Sequence, residues 1–277
     1  MAEAVEPARL LEILRESVGG LDACAQRLFG SFQLPERVEA GGLRTFRYRQ
    51  QDDLLLSYLK LVKIASHNNA AIVLLDQGYV QEVYALCRMI DEACEDITFM
   101  AMPLGEAAQS SAQQRRFINE FFQEEFSDSE PDPVKGNQSR DRVSRAKVRA
   151  GISGIARDRG NPSDEVAVGR VLSNVFSGYV HGAYVHLMEM FGGNPPQFHT
   201  RGMLGTPRIQ ECLGNHANHV YRSLLAAQQV GTRAYREDVV YLAIDLSIAL
   251  ARQTKCVQGE AIEAMEGRRK RPLVKPA

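Results

Sequence analysis

The feature that most constrains this chain is a stripe of apolar residues whose spacing alternates between three and four positions. The stripe comprises Val80, Val83, Cys87, Ile90, Cys94, Ile97 and Ala101. Residues spaced in this way lie along one side of an α-helix, with an average period near 3.5 residues. We therefore predict a helix over 80–101 that packs this side against a partner helix along its whole length.

Similar helical patterns recur along the chain, whereas strand signals are sparse. Further helices are predicted over 8–29, 52–75, 109–126, 166–191, 208–230 and 236–257. No Asn-Gly or Asp-Gly turn joins two alternating runs, and segments rich in Val, Ile and Thr are few. The links are mostly short, which favours antiparallel neighbours. The predicted fold is therefore all-α, an up-down bundle of roughly seven helices.

The chain has 277 residues, which suits one large domain. We expect a single helical domain over 1–257, with its core in 50–257. Two segments, 127–139 and 192–207, are rich in Gly, Pro or small polar residues and are predicted to be irregular loops. Residues 258–277 hold a basic cluster and prolines, and they are predicted to form a flexible tail.

Composition excludes several classes of protein. Hydrophobic residues make up 44% and charged residues 24% of the chain, which is incompatible with a wholly disordered protein. The net charge of −1 argues against a globally basic nucleic-acid binder, although it permits a local basic patch. No apolar run approaches the ~20 residues that span a bilayer, and the N-terminus lacks the pattern of a secretory signal. We expect a soluble, cytoplasmic protein with no membrane partner.

Metal and cofactor signatures are missing from the sequence. The five cysteines are scattered without C-x-x-C spacing, and no Glu precedes a His by three positions. Phosphate-binding glycine loops and the G-x-S-x-G elbow are also missing. We therefore expect no metal and no cofactor. His216 falls in register with the apolar positions Ile209, Leu213 and Val220, which favours a core position for it.

A polar stripe crosses the apolar helix predicted over 166–191. Arg170, Asn174, Ser177 and His181 follow one another at intervals of four, three and four, so an unbroken helix places them on one face. A guanidinium, an amide, a hydroxyl and an imidazole in a row can hold an anionic ligand, and the His can serve as general acid or base. The alternative is that these residues only make hydrogen bonds between helices.

Arg88 and Glu92 lie four residues apart on the helix predicted over 80–101, away from its apolar stripe. The simpler interpretation is an exposed ion pair within one helix. If a bundle covers both sides of this helix, the pair instead joins a buried polar network that orients a partner such as His181.

A basic stretch follows an acidic block near the middle of the chain. It includes Arg145 and Arg149, with Arg140, Arg142, Lys147, Arg157 and Arg159 nearby. One interpretation is a solvated helix that the acidic block partly neutralises. The other is a phosphate-binding face, although 140–159 contains no aromatic residue on which bases can stack.

Two segments resemble a family of helical bacterial proteins. In 75–97, a Gly precedes a helix that bears Arg88-x-x-x-Glu92, and Ser177-Gly-Tyr-Val-His181-Gly follows on a later helix. The family is similar in layout to the HEPN superfamily (higher eukaryotes and prokaryotes nucleotide-binding), and the resemblance covers roughly 50–250. It implies an all-α bundle, often dimeric, and in many members a metal-independent ribonuclease of toxin–antitoxin or phage-defence systems.

In that superfamily an Arg and a His lie four to six residues apart on one helix. Here the Arg that precedes His181 is Arg170, with ten residues between them. The resemblance implies that Arg170 contacts phosphate and that His181 acts as general acid or base. The wider spacing is equally compatible with a relative that does not cleave RNA.

Two functional hypotheses follow. The first is an RNA- or nucleotide-binding effector that uses Arg170, Asn174 and His181 for chemistry. It uses Arg88, Glu92, Ser177, Arg145 and Arg149 for binding. The second is a non-enzymatic helical scaffold or protein-interaction module. Both allow a homo-oligomer or a protein partner.

Overall fold

The computed structural model describes residues 5–40, 43–102, 111–124, 142–156 and 162–273. Ten helices and two small hairpins make up this part of the chain, so the predicted all-α class is confirmed, with more helices than the seven expected. The helices are α1 (Pro7–Phe29), α2 (Asp53–Asp76), α3 (Val80–Ala101), α4 (Ala112–Phe122), α5 (Arg145–Ala156), α6 (Pro162–His181), α7 (Tyr184–Met188), α8 (Pro207–Arg233), α9 (Glu237–Thr254) and α10 (Gly259–Arg269). The strands are β1 (Glu36–Ala40), β2 (Leu43–Arg47), β3 (Phe191–Gly192) and β4 (Gln197–Phe198).

Helix α3 lies at the centre of the bundle. It begins and ends where the apolar stripe predicts, and the stripe residues from Val80 to Ile97 are buried. Helices α2 and α8 pack against it, and α5 and α6 cover further parts of its surface. Helix α1 packs on α2, α8 and α9 and completes the main core. The seam prediction is therefore confirmed, and α3 is enclosed on more than one side.

Helix α2 starts at a well-formed cap. The Asp52 carboxylate accepts a hydrogen bond from the backbone N–H of Leu55 at 2.8 Å, which satisfies one of the free donors of the first turn. The helix ends just before Gly78, whose φ of 78° lies in the left-handed region. This glycine forms the elbow between α2 and α3.

The hairpin of β1 and β2 was not predicted from the sequence. The two strands pair antiparallel, with Arg37 opposite Phe46 and Val38 opposite Thr45. Gly41-Gly42 separates two short alternating runs, and a Gly-Gly pair between such runs is itself a hairpin signal. The expectation of few strands rested on the lack of Asn-Gly and Asp-Gly turns, and a Gly-Gly turn forms this hairpin instead.

The helix predicted over 166–191 is broken into two. Helix α6 ends at His181 because Gly182 adopts a φ of 63°, and α7 begins at Tyr184. The following loop contains the β3–β4 hairpin, where the rings of Phe191 and Phe198 contact each other. The break separates α7 from the polar stripe of α6.

Two further segments were predicted to lack regular structure. The segment expected to form a flexible tail, 258–277, instead contains α10, which packs on α9 and buries Met265. The predicted loop 127–139 lies outside the described residues.

Within the described part of the chain, no helix is both long and apolar enough to cross a bilayer.

The loop before α8 docks on the α2–α3 elbow by a close approach of two backbones. The backbone N–H of Met203 donates to the Gly78 carbonyl at 2.7 Å. A Cβ atom at Gly78 would lie 2.7 Å from the backbone nitrogens of Met203 and Leu204. Only glycine allows both the left-handed backbone and this contact.

We expect Gly78→Ala to lower the free energy of unfolding by about 3 kcal/mol, because it adds a steric clash to left-handed strain. Gly205→Ala is the matched control, since Gly205 has a φ of 77° but no atom within 4 Å of a built Cβ. It should cost only about 1 kcal/mol. Urea denaturation of both variants measures the difference, and equal losses would contradict the close approach.

Candidate functional site

Four carboxylates project from α3 on the side away from its apolar seam. They belong to Asp91, Glu92, Glu95 and Asp96. Each is matched by a cation from a neighbouring helix or from α3 itself. The cations belong to Arg88, Lys60, Arg145, Arg149 and Arg222. We call this set of nine side chains the α3 charge cluster.

Arg88 connects α3 to α6. One guanidinium nitrogen donates to the backbone carbonyl of Ser173 at 2.8 Å, and another lies 3.1 Å from the Glu92 carboxylate. Both charged side chains are partly buried rather than fully solvated. The pair therefore belongs to a packed network, and it fixes α6 against α3.

Arginines of the basic stretch face this network. Arg145 forms ion pairs with Asp96 and Glu95 and donates to the Glu92 carbonyl at 3.0 Å. Arg149 lies 3.0 Å from the other oxygen of Glu95, and both of these side chains are largely buried. Asp96 is also paired with Lys60 of α2, at 2.8 Å. Arg145 and Arg149 thus hold α5 in place through carboxylates, and their guanidinium groups are engaged within the protein.

Asp91 bridges α3 to α8. Its carboxylate lies 2.5 Å from Arg222 and 3.4 Å from Nε2 of His219. Burial opposes ionisation of Asp91, but the bond to His219 and the charge of Arg222 outweigh it and lower the carboxyl pKa. Burial also opposes a charge on His219, yet Cys87 and Asp91 raise its pKa to about 10. The buried contact is therefore an ion pair between imidazolium and carboxylate.

The neighbouring His216 is held in the neutral form, unlike His219. It is fully buried, and Nδ1 lies 3.6 Å from the Cys87 sulfur. Burial, followed by the charge on His219, lowers its pKa to about 3. Its core position agrees with the sequence prediction. Two histidines three residues apart on α8 are thus held in different charge states.

A small, partly open cavity lies inside the charge cluster. Its lining includes Arg88, Glu92, Arg149 and Arg222, together with Ser173 and Phe176 of α6. The cavity volume of about 10 Å³ has room for a single water molecule. The charges are therefore satisfied mainly by one another, and the cluster is closed to any larger ligand in this conformation.

Asn174 and His181 of the polar stripe on α6 do not line this cavity. Helix α6 is continuous across 170–181, so Asn174, Ser177 and His181 share a face as predicted. Asn174 and His181 are exposed and Ser177 is partly buried, whereas the side chain of Arg170 lies outside the described residues. The interpretation in which Arg88 and Glu92 orient His181 is not what the structure places there. Arg88 reaches the backbone of α6 at Ser173, while Asn174 and His181 are exposed.

The turn after His181 is held by a compact polar cluster. The Tyr179 hydroxyl donates to Glu189 at 2.9 Å, and the His186 ring stacks on Tyr179 with centroids 4.0 Å apart. Gln81 of α3 donates to the His186 carbonyl at 2.9 Å. Gly178 gives the imidazole room, since a Cβ there would lie 2.2 Å from its Nε2. These contacts fix the direction in which α6 ends, and with it the position of His181.

Several members of the charge cluster were not recognised in the sequence. No sequence motif marks Asp96, Lys60 or Arg222. Their partners in the ion pairs lie far away along the chain. A usable signal was present in α3, where four carboxylates within six positions avoid the apolar seam. That many charges on a helix packed on several sides require cations from the surrounding helices.

Comparison with known proteins adds no relative: no family model, no curated protein and no solved structure matches the chain. Among the described residues, no group of three or more His, Cys, Asp or Glu side chains is arranged to hold a metal ion. The four buried cysteines and the partly buried Cys256 are all free thiols. The site must therefore be interpreted from its own geometry.

The buried neutral His216 predicts a specific pH dependence of stability. The unfolded imidazole has a pKa near 6.5 and the folded one about 3, so the unfolded state binds more protons between these values. This part of the stability is complete above pH 6.5 and is lost as the pH falls toward 3, by up to about 1.4 kcal/mol per pH unit.

We expect His216→Gln to flatten the acid side of the stability curve. Between pH 6.5 and 4.5 the variant should lose about 2 kcal/mol less than the wild type, because glutamine takes up no proton. Urea denaturation at a series of pH values measures this. Parallel curves for the two proteins would show that His216 is not held neutral by burial.

Proposed function

We propose that the protein binds RNA or a nucleotide at α6 and acts on it as a metal-independent ribonuclease. Its resemblance to the HEPN superfamily supports this proposal. The observation that carries the proposal is the exposure of Asn174 and His181 on one face of a continuous helix. They lie seven positions apart, which corresponds to about 10 Å along the helix axis. An accessible imidazole two helical turns from an amide on the same face is a minimal arrangement for contact with a phosphodiester backbone.

The chemistry assigns one role to each side chain. The His181 imidazole accepts the proton of an RNA 2′-hydroxyl, whose oxygen attacks the adjacent phosphorus. The bond to the 5′-oxygen breaks and leaves a 2′,3′-cyclic phosphate and a 5′-hydroxyl end, with the leaving oxygen protonated by solvent. The Asn174 amide N–H donates to a phosphate oxygen as negative charge develops there. Ser177 and Arg170 lie on the same helix and complete the proposed binding surface.

The charge cluster has a positioning role in this proposal. Arg88 ties the Ser173 carbonyl of α6 to Glu92, and Arg145 and Arg149 tie α5 to the same part of α3. Their guanidinium groups are engaged with protein acceptors, so we assign them to orientation of α6 rather than to RNA contact. A rigid helix keeps the catalytic side chains in register, as a chemical site requires.

An effector of a toxin or phage-defence system would act on RNA in the cytoplasm. We therefore infer that induced expression of the wild-type chain slows the growth of a bacterial host. A catalytic variant that folds normally should be harmless. Comparison of the wild type with this variant separates toxicity caused by RNA cleavage from toxicity caused by high expression of the protein.

A second candidate function, a non-enzymatic interaction module, is favoured by a different observation. Large apolar side chains are exposed on α6, α7 and the β3–β4 hairpin, including Tyr184, Val185 and Phe198. Extended exposed apolar surface is typical of protein-interaction sites. Under this function, His181→Ala changes neither RNA nor growth.

We expect His181→Ala to reduce cleavage of RNA by at least about 100-fold, which is the contribution typical of a general base. The assay uses a set of labelled single-stranded and hairpin RNAs in the presence of EDTA, and the products are tested for cyclic phosphate ends. Asn174→Ala should reduce the rate by about tenfold, because it removes one hydrogen bond to charge in the transition state.

Asn218→Ala is the control, since Asn218 is an exposed asparagine on α8. It should cleave at the wild-type rate. Thermal unfolding of each variant shows whether the fold is kept. The proposal fails if the wild type leaves every RNA intact, or if His181→Ala cleaves as fast as the wild type.

A further inference from the structure

A run of cations lies at the end of α10 and directly after it. The run consists of Arg268, Arg269, Lys270 and Arg271, and all of these residues are exposed. Arg269 pairs with Asp245 of α9 at 2.8 Å. Among the described residues, no carboxylate pairs with the other three cations. Neighbouring cations without counter-charges create a local positive potential that attracts an anionic partner. The proposed chemistry at α6 does not use them.

An open groove adjoins this run of cations. Its lining consists of Tyr235, Arg236, Glu237, Asp238, Tyr241 and Leu273, and its volume is about 570 Å³. The guanidinium carbon of Arg269 lies 4.3 Å from the centre of the Tyr241 ring, so the cations reach the edge of the groove. We call this lining together with residues 268–271 the α10 groove. It combines aromatic rings with positive charge, and its volume suits a small ligand group.

Tyr235 adopts a backbone conformation that favours glycine. Its φ is 53°, and it follows the end of α8, where the Arg236 backbone N–H donates to the Gly231 carbonyl at 2.9 Å and closes the helix. Glycine is the usual residue at this position, because a side chain makes the left-handed backbone costly. Burial does not offset that cost, since Tyr235 is 42% exposed. A strained residue with an accessible ring is typical of a ligand-binding site.

We propose that the α10 groove binds a single-stranded nucleic acid. Such a strand has a negative charge at each phosphate and unpaired bases with flat faces. Proteins that bind it without reading its sequence combine cations with aromatic rings. The exposed Tyr235 ring stacks on one base, and the guanidinium of Arg269, held over Tyr241, offers a second flat surface. Lys270 and Arg271 contact the phosphates.

The carboxylates of the groove determine which part of the strand enters it. Asp238 is neutralised by Arg236, whose guanidinium donates to both carboxylate oxygens at 2.9 Å. Glu237 is exposed next to Tyr235 and repels phosphate. Bases therefore lie in the groove beside Tyr235, and the phosphates follow the cations at 268–271.

Two other anionic partners fit the α10 groove less well. A helix that binds an anionic membrane also inserts apolar side chains, but on α10 Met265 is buried and Ile262 packs on the main core. An acidic peptide would use the cations and leave the strained Tyr235 without a role. The groove recognises phosphates and base faces rather than the 2′-hydroxyl. This binding therefore goes beyond the proposed ribonuclease chemistry at α6 and does not depend on it.

The test uses the full chain and a fluorescently labelled oligothymidylate of about 20 nucleotides, which is longer than the binding sites of comparable surfaces. DNA lacks the 2′-hydroxyl that the proposed cleavage requires, so the probe stays intact whether or not the protein is a ribonuclease. Fluorescence anisotropy measures binding. We expect a Kd below about 100 μM at physiological salt, the range typical of binding without sequence preference.

Tyr235→Gly should weaken binding about tenfold, because it removes the ring on which one base stacks. Glycine suits the left-handed backbone, so the urea midpoint of this variant should be no lower than that of the wild type. A loss of binding then cannot come from unfolding. If the midpoint does fall, Tyr235→Asn replaces this variant, since asparagine also tolerates the conformation.

Lys255→Gly is the matched control. Lys255 has a φ of 54° and closes α9 at the end opposite the groove, about 25 Å away along the helix. The change therefore removes a left-handed side chain and a positive charge outside the α10 groove. It should leave the Kd within about twofold of the wild-type value.

The double variant Lys270→Gln, Arg271→Gln tests the phosphate contacts. If each cation neutralises one phosphate, the slope of log Kd against log salt concentration should fall by about 1.4, at about 0.7 for each contact with a single strand. A purely structural role of these side chains would leave the slope unchanged.

Each outcome decides the proposal. Binding that Tyr235→Gly and the double variant weaken, and that Lys255→Gly does not, supports it. No change in anisotropy at about 100 μM wild-type protein overturns it, including the case in which the protein binds phosphatidylserine vesicles or polyglutamate instead. Binding that withstands Tyr235→Gly or the double variant, or that Lys255→Gly weakens equally, overturns it as well. RNA cleavage is scored in separate assays, so failure of the ribonuclease proposal leaves this result unaffected.

Discussion

The structure depends on charge pairing along the outer side of α3. Four carboxylates in six positions repel one another, and taking them out of water is costly without partners. Cations from α2, α5 and α8, together with Arg88 of α3 itself, supply those partners. Asp96 is shared between Lys60 and Arg145, which spreads one carboxylate over two helices. An ion network of this kind fixes which surfaces meet, because a slip of any helix leaves a charge unpaired.

The position of α6 follows from this network and from aromatic packing. Arg88 binds the Ser173 carbonyl, while Tyr84 of α3 lies against Phe176 and Tyr179 of α6. These contacts use the inward side of α6. The opposite side, with Asn174 and His181, is left exposed on a helix that cannot easily rotate. A fixed helix with an accessible polar side is what the proposed chemistry requires.

The sequence predicted those features that depend on local periodicity. The limits of α3 and its buried seam follow from the apolar spacing, and α2 was placed within one residue at each end. In the sequence, Gly178 and Gly182 fit either a kink in one long helix or the end of a helix, and only the left-handed backbone of Gly182 decides that α6 ends after His181. The β1–β2 hairpin was missed because the Gly41-Gly42 pair was overlooked.

The candidate site was harder to predict because its partners come from distant parts of the chain. Periodicity shows that Arg88 and Glu92 point away from the seam, but it does not show that α5 and α6 cover that side. Arg145 and Arg149 looked like surface charges because the carboxylates they pair with belong to another helix. Conversely, one interpretation of the sequence brought His181 to a buried network around Arg88, and its exposure is decided by the orientation of α6 that Arg88 and the aromatic residues fix.

The most direct test of this account is a double-mutant cycle on Glu95 and Arg149, which join α3 to α5 and are both largely buried. Glu95→Gln, Arg149→Gln and the double variant are compared by urea denaturation. If the ion network determines the packing, the coupling free energy is at least about 1.5 kcal/mol, in the range measured for residues in direct contact. A coupling below about 0.3 kcal/mol, as for independent sites, would contradict the account.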